Sequence, residues 1–282
     1  MNEQQKEELE KQALILRCHI LRAIRMAGSG HLAGSLDISE VLVYFYHQVL
    51  RVRPTEPEWP ERDLFLLSAG HLCPAWYAVL AQLGYFPVDQ LLTLRQFGSS
   101  LQGHPKRQPS LGIENSAGPL GQGVSMAVGM AYQLQQEQSG RRVFVLGSDG
   151  EQDEGQCWES YLFAAHYNLS NLTLLMDVNG IQQTGNVTTV MDTAELKDKL
   201  LAFGWAVAVV DGNDFASIES GWQQLKDLSC PKAMLCRTIP GKGITLLEND
   251  YHWHAQQPTE EQWTEIFAQL ETQLQHMGVS FD

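Results

Sequence analysis

Apolar and polar residues follow two alternating patterns along this chain, which predict helices and buried strands in turn. Apolar side chains at residues 9, 13, 16, 20, 24 and 27 are spaced three or four residues apart, which is typical of one face of a long helix. The sequence Gly28-Ser29-Gly30 is predicted to end that helix. A second helix is predicted to begin near Asp37, which stands three residues before Glu40 in the spacing of a capping box, and to run to Leu50.

Short, continuous apolar runs predict five buried strands. The strands cover residues 64–67, 143–146, 172–177, 207–210 and 233–237. Helical patterns separate the later strands and occupy residues 121–138, 152–167, 194–203 and 215–228. A closing helix opens with a capping box at Thr259 and Gln262. Strands that alternate with helices favour an α/β fold, in which one parallel sheet carries helices on both faces.

The pattern contains neither an internal repeat nor a long linker, so residues 1–282 are expected to form one domain with an N-terminal helical extension. Residues 95–120 differ from the rest, because repeated Gly, Pro and Ser leave them without a period. A loop of that length inside a compact domain is usually functional or mobile.

Composition excludes several functional classes. The net charge of −14 repels nucleic acid and anionic lipid, so a phosphorylated ligand must be held by a local site. No apolar run approaches the roughly 20 residues that span a bilayer, so no membrane partner is expected. The first residues lack the basic and apolar regions of a signal peptide, which predicts a cytoplasmic protein. Five scattered cysteines without a CxxC pair argue against a disulfide framework and a zinc site, and favour small core residues.

Two polar side chains follow neighbouring strands of the predicted sheet. Asp149 comes after the strand at residues 143–146, and Asn179 comes after the strand at residues 172–177. Ligands bind at the carboxyl edge of parallel sheets, so one ligand can reach both residues. Carboxylate, amide and carbonyl oxygens suit Mg²⁺ or Ca²⁺ that carries a diphosphate. Taken alone, Asp149 is more often a helix cap or a turn residue.

The longer segments around these residues resemble motifs of transketolases, specifically of their N-terminal part. The segment GSDG at residues 147–150 is followed, 30 residues after Asp149, by Asn179 (179 − 149 = 30), as in the metal-diphosphate motif of thiamine-diphosphate enzymes. Other segments are similar to the family motifs SGHPGGS, LSxGH, GHP, STGxLGQG, KGKG and WHG. They are GSGHLAGS at 28–35, LSAGH at 67–71, GHP at 103–105, SAGPLGQG at 116–123, GKG at 241–243 and WH at 253–254. These segments occur in family order along nearly the whole chain, which makes the resemblance very specific.

The resemblance implies roles for individual residues. A divalent metal, Mg²⁺ or else Ca²⁺ or Mn²⁺, is expected on Asp149, Asn179 and the backbone oxygen of Ile181. Thiamine diphosphate is expected to contact His71, Gly118, Pro119, Leu120, Gly150, Glu154, Asn179 and His254. The residues expected to be catalytic are His31, His104 and His254. Of these, His31 and His104 are expected to face the donor ketose, while Glu154 and Glu159 match acidic positions that communicate across the family's dimer interface.

Some of these residues also have ordinary structural interpretations. The glycines within residues 118–123 could serve only a tight turn and close helix packing, and Glu154 and Glu159 could be helix-surface acids. An ordinary packed or surface role is the interpretation for four histidines in helical patterns, His19, His47, His166 and His276. The chain departs from the family at Leu32-Ala33, where Pro-Gly is usual, and at Pro240, which replaces the first lysine of KGKG. These departures leave the donor sugar open.

The resemblance implies a transferase that moves a two-carbon ketol unit from a ketose phosphate to an aldose or aldose phosphate, using thiamine diphosphate. In transketolases the cofactor lies between two domains, and the pyrimidine-binding domain brings the glutamate that activates the aminopyrimidine. No segment of this sequence resembles the pyrimidine-binding or C-terminal domain. The expected partner is therefore a C-terminal transketolase subunit, in a dimer of heterodimers. Two alternatives stay open, a fragment similar to deoxyxylulose-phosphate synthase and a non-catalytic regulatory paralogue that only binds the partner.

Overall fold

A computed structural model describes residues 1–280, and its first element confirms the predicted long helix. Helix α1 covers Glu3–Ala27 and begins at a capping box. There the side chains of Asn2 and Gln5 each accept a hydrogen bond from the other's backbone N–H, at 2.8 and 3.0 Å. Gly28 ends the helix with a φ of 64°, a left-handed conformation that glycine adopts without steric cost.

The predicted second helix is wrong in its start and its capping. This region holds two short helices and a π-helical turn, namely α2 (Leu32–Asp37), α3 (Ser39–Tyr44) and the turn Phe45–Val49. Asp37 is the last residue of α2, and its buried carboxylate accepts a hydrogen bond from Asn179 instead of capping a helix. Glu40 forms a buried ion pair with Arg17 at 2.7 Å. Tertiary contacts of both acids therefore override the local capping signal.

A helix that the sequence pattern did not indicate follows the first strand. Strand β1 covers Leu64–Leu67, as predicted, and helix α4 covers Cys73–Gln82. The α4 residues from Cys73 to Ala81 are all buried, so apolar side chains occur on every face of this helix. Such a helix has no amphipathic period, which explains why the pattern missed it.

The remaining long helices and the four later sheet strands alternate as the sequence predicts, whereas the short elements between residues 181 and 190 were not predicted. The helices are α5 (Gln122–Gln136), α6 (Gly155–His166), α7 (Val187–Val190), α8 (Leu196–Ala202), α9 (Phe215–Leu225) and α10 (Glu260–His276). The strands are β2 (Val143–Ser148), β3 (Leu172–Val178), β4 (Ile181–Gln182), β5 (Gly185–Asn186), β6 (Ala206–Asp211) and β7 (Lys232–Arg237). Helix α10 begins at the predicted capping box, where the Thr259 hydroxyl accepts a hydrogen bond from the backbone N–H of Gln262 at 3.3 Å.

Five strands form one parallel sheet in the order β1-β2-β3-β7-β6, and β4 and β5 form a separate small hairpin. Side chains alternate between the faces of the sheet, so β2 sends Phe144 and Leu146 to one apolar core and Val143 and Val145 to the other. The first core includes side chains of α1, α3, α4, α9 and α10, and the second includes those of α5, α6 and α8. The predicted α/β fold, with helices on both faces of a parallel sheet, is confirmed.

The carboxyl ends of β1, β2 and β3 lie side by side. Strand β2 pairs with both neighbours, and its last residue, Ser148, lies opposite Asp177 of β3. Helix α5 starts against the end of β1, where a Cβ on Gly123 would overlap the Cα of Ser68. Because only glycine permits that approach, the sheet and α5 together bring three sequence-distant loops to one edge.

All five cysteines are free thiols, and four of them are buried, in agreement with small core residues. No helix within residues 1–280 combines the length and the apolarity that crossing a membrane requires.

Candidate active site

Four histidines from distant parts of the chain meet at the carboxyl edge of the sheet. His31 precedes α2, His71 lies in a 3-10 turn after β1, His104 lies in the long loop, and His254 ends a 3-10 turn before α10. The ring centroids of His31, His71 and His254 lie 5.0, 5.1 and 5.2 Å apart, and the His104 ring lies 6.3 Å from that of His31. All four line one cavity of about 400 Å³. The fold therefore brings together the three predicted catalytic histidines and the predicted diphosphate ligand His71.

The environment favours the neutral form of these rings. Burial, the nearby His254 and the Arg95 guanidinium lower the pKa of His31 to about 3. Burial also lowers the pKa of His71, well below its usual range, and that of His254. A neutral imidazole has one donor and one acceptor nitrogen, so it can bind an oxyanion or exchange a proton. The Nδ1 atoms of His31 and His254 are buried without a hydrogen-bond partner among residues 1–280, which leaves them available to a ligand.

The lowered pKa of His31 predicts that the chain loses stability in mild acid. The unfolded chain protonates this histidine below about pH 6.5, whereas the folded chain keeps it neutral down to a pKa of about 3. Protons therefore favour the unfolded state across that window, by about 2 kcal/mol at pH 5 for this one residue. Urea unfolding of the chain and of His31→Gln at pH 7 and pH 5 measures the effect. The free energy of unfolding should fall less between pH 7 and pH 5 in His31→Gln than in the control His166→Gln, which replaces a histidine outside the cavity. Equal decreases in the two variants would contradict the lowered pKa of His31 in the folded chain.

The carboxylate of Asp149 ties together the loops after β2 and β3. Its Oδ1 accepts a hydrogen bond from the backbone N–H of Gly150, and its Oδ2 accepts one from that of Gly180, both at 2.8 Å. The side chain is only 3% exposed, and burial raises its pKa to about 6. Asp149 borders an adjoining cavity of about 360 Å³, while Gly150 lines the histidine cavity. The carboxylate thus holds the loop that faces the histidines.

Two buried acids fix the orientation of Asn179. The Asn179 Nδ2 donates to the Oδ2 atoms of Asp37 and Asp177 at 3.0 and 2.9 Å, and its Oδ1 accepts from the backbone N–H of Ile181 at 3.0 Å. Burial and the repulsion of neighbouring carboxylates raise the pKa of both acids well above the usual range. Because Nδ2 is occupied, the amide oxygen is turned toward Ile181. The sequence did not indicate that Asp37 and Asp177 orient Asn179, because Asp37 has the spacing of a helix cap and Asp177 ends a predicted strand.

These donors fit a divalent cation that arrives with a diphosphate. No three His, Cys, Asp or Glu side chains within residues 1–280 are grouped to hold a metal by themselves. The candidate donors that the sequence indicated are instead one carboxylate, one amide oxygen and one backbone carbonyl, of Asp149, Asn179 and Ile181. Magnesium commonly takes one or two carboxylates and completes its shell with ligand phosphates and water. Asn179 and Ile181 line the same cavity as the four histidines, so phosphate oxygens there can reach both groups.

Glu151 is a site residue that the sequence did not single out. Its buried Oε1 accepts hydrogen bonds from the Ser68 hydroxyl and from the backbone N–H of Gly121, both at 2.6 Å. It thereby connects the loops after β1 and β2 with the turn before α5, and it also lines the histidine cavity. The one sequence feature that could have indicated Glu151 was its position two residues after Asp149. Gly118 and Leu120 of the same turn also line the cavity, and their expected contact with the cofactor stays a prediction.

Other predicted residues lie outside the cavity lining. Pro119, Glu154 and Glu159 do not border the cavity, so their assignments to cofactor and dimer interface stay predictions. The histidines interpreted as ordinary lie elsewhere, and they are His19, His47, His166 and His276. Gln182 and Gln183, which the sequence did not indicate, border the cavity beside Ile181.

Comparison with known proteins agrees with this geometry. The family described as transketolase, thiamine diphosphate binding domain, matches residues 10–274. The 6-deoxy-6-sulfo-D-fructose transketolase subunit SqwG of Clostridium sp. (strain MSTE9) is 40% identical over 272 residues, which are 96% of this chain and 98% of that protein. A protein of Phocaeicola vulgatus, named as one subunit of apulose-4-phosphate transketolase, is 32% identical over 97% of both chains. The crystal structure of Campylobacter jejuni transketolase superposes with a TM-score of 0.88 and 29% identity, over 99% of this chain and 44% of its own.

The two kinds of relative differ in length. This chain spans nearly the whole of the proteins named as subunits, but less than half of the Campylobacter transketolase and of longer transketolase-like proteins. The family match at residues 10–274 covers the sheet and the loops that carry the four histidines, Asp149 and Asn179. The chain therefore belongs to the transketolase family and carries its thiamine diphosphate-binding domain.

Proposed function

We propose that this chain is the N-terminal subunit of a two-component transketolase that transfers a two-carbon ketol unit from a ketose phosphate to an aldose or aldose phosphate. The observation that carries the proposal is one cavity in which four histidines face Asn179 and Ile181, beside the carboxylate of Asp149. Near full-length similarity to two proteins named as transketolase subunits supports it further.

Each group of residues has a defined task in this proposal. Asp149, Asn179 and the Ile181 carbonyl hold Mg²⁺, or Ca²⁺ or Mn²⁺ in its place. His71 and His254 donate hydrogen bonds to the diphosphate, and Gly118, Pro119 and Leu120 face the aminopyrimidine. Bound thiamine diphosphate supplies the carbon nucleophile and accepts the negative charge that the transferred carbons develop.

The two remaining histidines act on the sugar. Burial and the neighbouring Arg95 guanidinium lower the pKa of both His31 and His104, which keeps both rings neutral, with one nitrogen that accepts a hydrogen bond, at neutral pH. Neutral rings at this position can hydrogen-bond sugar hydroxyls and move protons to and from the donor's carbonyl and hydroxyl oxygens. The partner covers the cavity and excludes water from it.

The proposed partner is a C-terminal transketolase subunit that carries the pyrimidine-binding half, in a cytoplasmic dimer of heterodimers. Support comes from the two relatives that are named as subunits, and from the 44% of the Campylobacter chain that this chain covers. A non-catalytic paralogue would bind the partner without supporting transfer. A fragment similar to deoxyxylulose-phosphate synthase would instead join a ketoacid-derived unit to an aldose phosphate.

His104→Ala is expected to lower kcat of the assembled enzyme by about 100-fold and to change cofactor affinity little. In the proposed function His104 contacts the sugar, and its side chain is exposed whereas that of His71 is half-buried, so its loss should remove proton control rather than a diphosphate contact. Steady-state kinetics and thiamine diphosphate titration measure the two effects separately. His252→Ala, an exposed histidine outside the cavity lining, is the control and should behave like the wild type. Weakened cofactor binding with normal turnover at saturation would reverse the assignment.

Cofactor dependence tests the proposed function as a whole. The chain is mixed with its C-terminal partner, and transfer from a ketose phosphate to an aldose phosphate is followed in a coupled assay. Transfer should require both thiamine diphosphate and Mg²⁺. A complex that forms but never transfers would favour the regulatory paralogue. Product formation only from a ketoacid donor would favour the synthase-like fragment.

A further inference from the structure

One peptide group beside the histidine cavity, between Leu120 and Gly121, is held by side chains at both of its polar ends. The Gly121 backbone N–H donates to the Oε1 of Glu151 at 2.6 Å, and the Leu120 carbonyl accepts a hydrogen bond from the Nε2 of Gln156 at 2.7 Å. The N–H and the carbonyl belong to one planar amide, so the two bonds fix its orientation. This arrangement of Glu151, Gln156 and the Leu120–Gly121 peptide group is termed the peptide clamp.

The Glu151 side of the clamp is anchored to the sheet. The same Oε1 accepts a hydrogen bond from the Ser68 hydroxyl at 2.6 Å, and the Ser68 oxygen accepts one from the backbone N–H of Val124, in the first turn of α5, at 3.1 Å. The other oxygen, Oε2, accepts one from the Ser148 N–H at 3.4 Å. A fully buried carboxylate needs such donors, because burial removes its contacts with water. They keep the carboxylate in place as a fixed acceptor for Gly121.

The Gln156 side of the clamp depends on a close fit. Gln156 lies half-buried in the first turn of α6, and a Cβ on Gly121 would lie 2.7 Å from its Cγ. Gly121 has a φ of 76°, a conformation that glycine adopts freely together with many others. The turn therefore does not hold its own shape, and the clamp selects one conformation of it.

The clamped turn forms part of the cavity wall. Gly118 and Leu120 both line the cavity, whereas Gln156 does not. A Cβ on Gly70 would lie 3.0 Å from the backbone N of Gly118, so the turn also packs against the loop after β1. The direction of the Leu120 side chain is set by the peptide group that follows it. Gln156 thus controls a surface of the cavity that it does not itself border.

We propose that Glu151 and Gln156 are positioning residues for the cofactor, which hold Leu120 and Gly118 as a fixed surface for its aminopyrimidine ring. The inference rests on the proposed function, because it takes the ring to contact these two residues. The diphosphate end depends on other contacts, since the Asp149 carboxylate accepts its hydrogen bonds from the Gly150 and Gly180 N–H groups. Loss of the clamp should therefore weaken binding of the ring and leave diphosphate binding in place.

Two ligands of the assembled enzyme separate these effects. Thiamine diphosphate and, separately, inorganic pyrophosphate are titrated by calorimetry in the presence of Mg²⁺. Gln156→Met removes the donor to the Leu120 carbonyl and should weaken thiamine diphosphate binding about tenfold. Gln156→Glu, which also brings a negative charge against that carbonyl, should weaken it further. Pyrophosphate affinity should stay within about twofold of the wild type in both variants.

The control for charge is Gln223→Glu, an exposed glutamine of α9 outside the cavity lining, which should bind both ligands as the wild type does. An equal loss of affinity for both ligands, or no loss for either, would overturn the proposal. Failure of the wild-type assembly to bind thiamine diphosphate would instead contradict the proposed function.

Amide exchange of Gly121 tests the clamp in the full chain without any ligand. Glu151→Leu removes the acceptor and should speed exchange of the Gly121 N–H, followed by NMR, at least about tenfold. Glu151→Gln retains an acceptor oxygen of similar shape and should restore most of the protection. Equal exchange in Glu151→Leu and the wild type would contradict the clamp, as would a Glu151→Gln variant that exchanges as fast as Glu151→Leu. The half-buried Gln156 variants decide the matter where Glu151→Leu fails to fold.

Discussion

Replacement of Asp149 or of Asn179 by alanine is expected to abolish retention of thiamine diphosphate and the divalent metal by the assembled enzyme. The metal and the diphosphate bind as one unit, because each supplies ligands or charge that the other requires. Loss of one protein oxygen from a set of three removes a ligand that other residues of this edge cannot replace. The expected loss of affinity exceeds about 100-fold, since changes in outer-shell residues alone cost roughly 10- to 100-fold. Titration with cofactor and metal, followed by desalting and metal analysis, measures it.

Three further variants separate metal binding from folding. Asp153→Ala removes an exposed acid of the same turn, which accepts a hydrogen bond from Gln182 at 3.0 Å, and should retain the cofactor. Asp149→Asn keeps the shape of the side chain and should lose the metal without losing the fold. Asp177→Asn weakens the acceptor that orients Asn179 and should have an intermediate effect. Unchanged retention in Asp149→Ala or in Asn179→Ala would exclude the metal assignment.

The sequence predicts the framework of the site because its physical signals are local. Apolar runs indicated all five strands of the sheet, and the alternation with helices implied that neighbouring parallel strands end at one edge. That shared edge was enough to predict Asp149 next to Asn179, and the Asp149 Oδ2 does bind the Gly180 N–H beside Asn179. The four histidines of the cavity were predicted from the resemblance to transketolases, because their spacing along the chain does not indicate that they lie together.

The parts that the sequence did not reveal depend on tertiary contacts. Asp37 has the spacing of a helix cap, yet it is buried against Asn179, because the sheet brings residues 142 positions apart into contact. Glu151 binds Ser68 across a separation of 83 residues. Helix α4 lacks a polar face, so no period marks it.

The purified chain without a partner is expected to show no ketol transfer, even with excess thiamine diphosphate and Mg²⁺. In the proposed function the cavity residues bind metal, diphosphate and donor sugar, and no segment of residues 1–282 resembles the motif of the pyrimidine-activating glutamate. Without that carboxylate the cofactor is not activated efficiently, and an uncovered cavity exposes the reacting carbons to water. The partner should also raise the melting temperature when cofactor is present, because ligand that binds the folded complex stabilises it by mass action.

This chain is proposed to hold the metal-diphosphate half of a shared active site. The most direct measurement is a coupled two-carbon transfer assay on this chain alone, on its C-terminal partner alone and on their equimolar mixture. All three samples contain the same thiamine diphosphate and Mg²⁺ concentrations. We predict turnover in the mixture and none in either protein by itself. Robust turnover by this chain alone would contradict the shared site, because the activating carboxylate would then have to come from within residues 1–282.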